Sequence, residues 1–458
     1  MTTPAGITRT DQYRALTAST ASFTACFAVW TIFSIIGLRI RTDLGLNDTE
    51  FGVLVATPVL TGSLTRLILG IWADQFGGRV VFTAVMIAAA LSTWLLSTVT
   101  SYPMFLVAAL GVGLAGGGFA VGTAYVSRWF EKERQGTALG IFGMGNVGSS
   151  VTAVVAPYLL VAFGWQGVAR AYAVALAVIA VLFWLTTKDD PSVRARHTGA
   201  AHRSSLFQEI EPLRRLQVWR FALYYFFVFG AFMALALWLP RYYQGVYGLD
   251  VKMAGLLTAL YTAPASLFRV LGGWMSDKFG ARTVMYWTFI ASVICTFVLS
   301  YPATDYVVHG IRGPIDFTIA IGVAPFTFLT FVLGFFMSLG KAAVYKHIPV
   351  YYPEHVGSVG GFVGLVGGLG GFFLPISFGA MNDLVGVWTA CFMLLFGVVV
   401  VALAWMHFAI LGLERTRLAS LTGTDARFEP AIAQPDRNAP ADGPRRHPRN
   451  TGNRRSAV

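Results

Sequence analysis

Charge is scarce in this chain. Only 12% of its 458 residues are Asp, Glu, Lys or Arg, about half of the roughly 25% usual in soluble proteins, and this shortage excludes the water-soluble class. Cysteine is almost missing: Cys26, Cys295 and Cys391 each lie in an apolar stretch, at unrelated spacing. They form no zinc or disulfide pattern and read as small buried hydrophobes. The 22 acidic residues are outnumbered by 34 basic ones, and none of the acids falls deep inside an apolar run. There is no His/Cys cluster for a metal, no P-loop and no convincing nucleophile–base pair. An enzyme, a metal site and a cofactor are therefore not expected.

What the chain does have is long apolar runs. Hydrophobic residues make up 55% of it. Runs of about 20 residues, enough to cross a bilayer, are read at 16–38, 51–72, 80–99, 103–126, 136–162, 169–187, 218–240, 253–275, 283–300, 317–340, 357–380 and 387–411. They predict an all-α integral membrane protein with twelve transmembrane helices. The 49 glycines suit close helix packing in a membrane. The first run is too long for the core of a cleavable signal peptide and has no small-residue cleavage site.

The placement of the basic residues argues against nucleic acid as the partner of the +12 net charge. Arg39, Arg41, Arg170, Arg241, Lys252 and Arg312 fall in the loops of one face, and Arg66 and Arg269 fall inside spans. Every other Lys and Arg falls on the opposite face, which the positive-inside rule makes cytoplasmic together with both termini. The expected partners are membrane lipid and a transported solute, with the chain a monomer in the cell membrane. Two six-helix lobes, 1–187 and 218–413, are joined by a cytoplasmic linker, 188–217, whose arginines suit the anionic inner leaflet. Residues 414–458 are polar and rich in Pro and Arg, and are expected to form a disordered basic tail.

A pattern is written twice at an offset of 203 residues: Arg66-x3-Gly70-x3-Asp74-x-Phe76-Gly77-x-Arg79 and Arg269-x3-Gly273-x3-Asp277-x-Phe279-Gly280-x-Arg282. A half-chain repeat in so apolar a protein points to a two-lobed transporter. An arginine is costly in hydrocarbon, so one at matching depth in each lobe is a functional candidate.

The segment from Gly70 to Arg79 resembles the loop between helices 2 and 3 of the major facilitator superfamily, and Gly273 to Arg282 resembles its counterpart between helices 8 and 9. Two glycine-rich segments resemble a narrower group. The fifth span carries Gly140-Ile141-Phe142-Gly143-Met144-Gly145-Asn146-Val147-Gly148, and the eleventh runs from Gly360-Gly361 to Gly370-Gly371. These are similar to the nitrate signatures of the nitrate/nitrite porter family (NarK type), and the similarity covers residues 15–411. It departs at Gly118, where relatives often place Asn. Residues 340–349 resemble the branch that takes up nitrate with protons.

The resemblance implies a fold of two pseudo-symmetric lobes rocking around a central site. It assigns substrate binding to Arg66 and Arg269 and anion contact to Tyr225. Guanidinium offers paired planar donors and keeps its charge, which suits a planar monoanion with three acceptor oxygens. Asn146 is a further donor, or an interhelical hydrogen-bonding group. Phe119 sandwiches the anion, or packs. Tyr261, about two turns before Arg269, is expected on the same face as a gate or pocket donor, or as an interfacial aromatic. Gly143 and Gly367, with Gly145, Gly148, Gly364 and Gly368, form close-approach surfaces and backbone contacts to the anion. Asp74, Arg79, Asp277 and Arg282 are read as a cytoplasmic latch. Lys341, placed at the cytoplasmic end of the tenth span, is read either as a proton-coupling group that titrates near the two arginines or as a snorkelling lysine.

The expected activity is nitrate uptake by proton symport. Exchange of nitrate for nitrite is the alternative, favoured by the missing intramembrane carboxylates. A carrier of organic phosphates and a non-transporting nitrate sensor are the remaining readings.

Overall fold

A computed structural model describes residues 8–189, 211–352 and 356–421. The first helix, α1 (Arg9–Leu44), is broken briefly between Trp30 and Phe33. α2 (Asp48–Phe76) opens on a capping box: Asn47 accepts from the Glu50 amide while the Glu50 carboxylate accepts from that of Asn47, so two orphan amides are satisfied at once. α3 (Gly78–Leu96) and α4 (Tyr102–Ser127) follow. The glycines of α4 tighten Gly113–Gly117 into a 3-10 turn, as expected where side chains give a helix little support. α5 (132–163) has the same device at Met144–Val147, and the chain breaks at Gly164 (φ 68°, ψ 176°) before α6 (165–186).

The second half repeats this plan. α7 (Leu216–Tyr247) contains a π-helical segment, Phe226–Ala231, directly after Tyr225. α8 consists of Val251–Leu267 and Arg269–Phe279, bent by 41° at the break. α9 (Ala281–Leu299), α10 (Val323–Tyr351), α11 (Val356–Val385) and α12 (Ala390–Leu421) complete it. The halves agree in detail at the repeated loop: Gly77 has φ 90° and ψ 140°, and Gly280, 203 positions later, has φ 85° and ψ 139°. Both lie in the region that a Cβ disfavours, which accounts for glycine in both copies. α1 and α7, equivalent in the repeat, are buried along most of their length, whereas α12 is largely exposed. Its exposed face and those of α3 and α6 carry apolar side chains such as Leu91, Leu185 and Val401, a surface suited to lipid rather than water.

The all-α membrane class holds, and three details differ from the spans read off the sequence. The chain is not wholly helical. β1 (Thr304–Gly310) and β2 (Gly313–Ile319) form an antiparallel hairpin, with Tyr306 opposite Phe317 and their rings stacked 5.5 Å apart. β-branched residues and a glycine-flanked turn favour strands here, so the tenth helix starts at Val323 rather than 317. Second, nine helices among the described residues qualify as membrane spans by length and hydropathy, or ten if the bent pair counts as one. That measure does not reach twelve, because it takes Thr137–Thr186 as one stretch of 50 residues and omits the 29-residue α2. Third, α12 runs past the expected boundary at 413 to Leu421. Residues 190–210 of the linker and 422–458 of the tail lie outside the described residues. The described residues up to Ala409 pack as one unit.

The two halves meet in a polar cluster at the hairpin end. Asp48, at the start of α2, is only 7% exposed. It accepts from Arg41 Nη2 at 3.1 Å, from Arg241 Nε on α7 at 3.1 Å and from Asn382 Nδ2 on α11 at 3.1 Å. Asp383 accepts from the amides of Asp48 and Thr49 at 3.2 and 2.7 Å and from the Thr49 hydroxyl. Below this cluster Gly52 packs on the Pro375 carbonyl and Gly379 on that of Asp48. The α2–α11 seam is therefore closed at this end.

Candidate functional site

Arg66 projects from α2 and Arg269 from α8, one from each half. Both are buried, at 5% and 7% exposure. The Arg66 guanidinium lies 5.4 Å from the ring centroids of Trp30 and Phe119 and 5.3 Å from that of Phe229. Its Nη1 donates to the Gly364 carbonyl of α11 at 3.0 Å, and its Nε has no partner. The Arg269 guanidinium lies 5.8 Å from the same Phe119 ring and 5.7 Å from Tyr345, and its Nη1 has no partner. Among the described residues no carboxylate forms an ion pair with either arginine. Buried charge without a counterion is costly. The two positive charges are therefore left without a counterion among the described residues.

The walls follow from the glycine-rich helices. A Cβ on Gly143 of α5 would stand 3.2 Å from the Arg269 side chain, so this glycine gives the arginine room across the lobe boundary. On α11, Gly364 faces the Tyr345 hydroxyl, Gly367 faces the Tyr225 ring, and Gly368 faces Ser63 Oγ with Arg66 Nη1 3.6 Å from its added Cβ. Tyr225 stacks on Phe229 at 5.2 Å and meets Tyr345 edge-on at 5.0 Å. Phe119 lies against Phe23 and Phe142. Asn146, in the 3-10 turn of α5, is 1% exposed, and neither its Oδ1 nor its Nδ2 has a partner. The two guanidinium groups thus share the Phe119 ring, with Phe229 and Tyr345 against one or the other.

Two other expected residues are placed differently from the sequence reading, although Lys341 shares the Phe229 ring with Arg66. Tyr261 is fully buried and its hydroxyl reaches the Phe232 carbonyl and Met337 Sδ, both at 3.4 Å, so it is not an interfacial aromatic. The shared face with Arg269 assumed one straight helix, and the 41° bend of α8 falls between them. Lys341 is not at a helix end. It has no exposed surface, lies about three turns inside α10, donates to the Ala265 carbonyl at 2.9 Å and sits 3.1 Å from the Phe232 ring centroid. Snorkelling does not describe it; the hairpin displaced the start of the span that would have put it at the interface.

Three of the four loop residues make contacts within their own half. Arg79 pairs with Asp189 at 3.3 Å and donates to the Trp184 carbonyl. Asp277 pairs with Lys346 at 2.5 Å, and Arg282 donates to the Tyr351 hydroxyl at 2.9 Å. The Asp74 side chain lies outside the described residues.

Sequence reasoning passed over Trp30, Phe229, Tyr345 and Ser63. A signal existed for Ser63: Ser63-x2-Arg66 recurs as Ser266-x2-Arg269 at the same offset of 203, so the repeat extends one turn further back. Tyr345 follows Lys341 by four residues, one turn along α10.

Fold and site together define a membrane carrier built from two related halves. The model of the Major Facilitator Superfamily matches residues 18–311 and 251–439. A bacterial homolog of the human lysosomal transporter Spinster, in an inward-facing and occupied conformation, superposes with a TM-score of 0.67, covering 93% of this chain and 100% of that one. At 17% identity this shows a common fold. The "Probable nitrate/nitrite antiporter NarK1" of Thermus thermophilus is 43% identical over 422 residues, 88% of this chain and 93% of the relative. The "Nitrite extrusion protein" of Bacillus subtilis (strain 168) is 29% identical, over 86% of this chain and 95% of its own length. The chain belongs to the nitrate/nitrite porter family, NarK type, of the major facilitator superfamily.

Proposed function

We propose that the protein carries nitrate across the cell membrane by alternating access, the anion held between Arg66 and Arg269, with a proton as co-substrate on Lys341. The observation that carries this reading is the pair of buried arginines, each with an unpartnered donor nitrogen, flanking one phenyl ring and ion-paired with no acid among the described residues. A planar anion between them would neutralise like charges drawn from opposite lobes and so favour closure. Tyr225, Asn146 and the backbone beside Gly143 and Gly367 complete the enclosure, with nitrite accommodated by the same donors.

The basic bias of the loops supports cytoplasmic termini and a cytoplasmic linker, with the hairpin outside. The Asp48 cluster is then the outer gate, closed here. Lys341 holds its proton against one carbonyl and two rings, with no ion-paired carboxylate among the described residues. An anion in the site stabilises that proton and the proton stabilises the anion; such linkage is reciprocal and supplies the coupling of a symporter. Exchange for nitrite is the second reading, favoured by the absence of any Asp or Glu in the middle of a span among the described residues and by the name of the Thermus relative.

Nitrate uptake into proteoliposomes tests both, with an inward proton gradient in one set and internal nitrite in the other. The symport reading expects gradient-driven uptake that Lys341→Gln abolishes while nitrate/nitrite counterflow persists. Uptake that needs internal nitrite and ignores the gradient would establish exchange instead. No flux from folded protein that still binds nitrate would mark a sensor.

A further inference from the structure

We infer that Ser63 is a further substrate-contacting residue, and that its hydroxyl separates nitrate from nitrite. The inference rests on the Arg66–Arg269 site being an oxyanion clamp. Ser63 precedes Arg66 by three residues, so the two side chains share a face of α2 one turn apart. It has no exposed surface and its Oγ has no partner.

A hydroxyl inside a helix ordinarily donates to the carbonyl four residues back. Thr57 donates to Val53 and Thr65 to Thr61, both at 2.7 Å. The repeat-related Ser266 does the same, to Thr262 at 2.8 Å. Two serines in equivalent positions therefore differ: one is satisfied by its own helix, while the other is turned to α11. There it meets Gly368, at a point where an added Cβ would touch Ser63 Oγ and stand 3.6 Å from Arg66 Nη1. Glycine at 368 leaves the hydroxyl and the guanidinium side by side.

The chemistry follows from counting acceptors. Nitrite has two oxygens, which two guanidinium groups can take from opposite sides. Nitrate has a third, and in a dry site an oxygen without a donor is penalised. A cation for it would add to Arg66, Arg269 and Lys341, all buried. A neutral hydroxyl adds no charge and can rotate its proton to the anion. The Tyr345 hydroxyl is engaged with the Gly360 carbonyl at 3.2 Å. Asn146 presents an acceptor along with its donor, so its amide must be oriented before it helps.

The test is Ser63→Ala in proteoliposomes, with KM measured for nitrate and for nitrite. Losing a hydrogen bond to a charged partner corresponds to about tenfold, so the nitrate-to-nitrite KM ratio should rise by about that factor. Ser63→Cys, which keeps the size and weakens the donor, should move the ratio in the same direction and serves where the alanine variant fails to fold. A ratio equal to wild type in a folded variant, including both KM values rising in parallel, would overturn the role of Ser63 and leave the clamp standing. Wild-type vesicles that carry neither anion would overturn the clamp and this inference with it.

Discussion

Replacing either Arg66 or Arg269 with lysine is expected to lower kcat/KM for nitrate about a hundredfold, with the protein still folded. Lysine preserves the charge, so the long-range attraction for an anion survives. What disappears is the planar fork: an ammonium is a compact point charge on a flexible stem and cannot offer two parallel donors. A hydrogen bond to a charged group contributes about 1.5–3 kcal/mol, and about 2.8 kcal/mol corresponds to a factor of 100. The loss has a second source. Arg66 is wedged among Trp30, Phe119 and Phe229 and anchored to the Gly364 carbonyl, which fixes its direction. A lysine would lose both the stacking and the anchor. Because both residues grip one anion, the double variant should fall short of the product of the single effects. Initial rates of nitrate uptake, normalised to protein in the vesicles, measure this. Either lysine variant keeping more than half of wild-type activity would remove the clamp from the mechanism.

Much of this site was legible because it is local and repeated. Arg66 and Arg269 stand out as charges inside apolar runs, and their common offset says that they belong to equivalent places in two halves. The loops that follow carry the same legibility down to backbone angle, at Gly77 and Gly280. The rest depends on contacts that sequence does not encode locally. Phe317 and Ile319 are apolar but flank Thr318 in the alternation of a strand, so a reading by hydropathy started the tenth span at 317 and misplaced Lys341. Phe268 sits at the break of α8, and with it went the assumption that Tyr261 and Arg269 share a face. Ser63 against Gly368, or Gly52 against Pro375, joins residues some 300 positions apart, and no period along the chain announces such a pair. The hairpin-end cluster was hidden for a related reason. Asp48 follows an N-cap and reads as an ordinary first-turn acid until α7 and α11 bring Arg241 and Asn382 to it.

That cluster sets up the second large effect. Asp48→Ala should reduce transport to a tenth or less and shift the resting protein towards a state open at the hairpin end. The carboxylate holds Arg41, Arg241 and Asn382 at once. Without it two arginines face each other with only Asp383 nearby, and breaking a largely buried pair from one side costs about 3–5 kcal/mol. That cost falls on the closed arrangement, because an open end lets water solvate the arginines. A bias of about 3 kcal/mol changes a two-state ratio by more than a hundredfold, enough to strand a carrier that must visit both states. Gly379→Val should give the same result by sterics alone, since a Cβ there would overlap the Asp48 carbonyl and stand 2.8 Å from Thr49 Cα. Reactivity at Ala56→Cys in a background free of the three native cysteines reports the opening. Ala56 is fully buried and lies one turn below Gly52 on the α2–α11 seam, so an impermeant thiol reagent reaches it only when the seam parts. Both variants should label faster than the parent. Loss of transport without faster labelling would make the cluster a folding element and not a gate, while a Gly379→Val variant at wild-type rate would show that α2 and α11 do not need this contact at any point in the cycle.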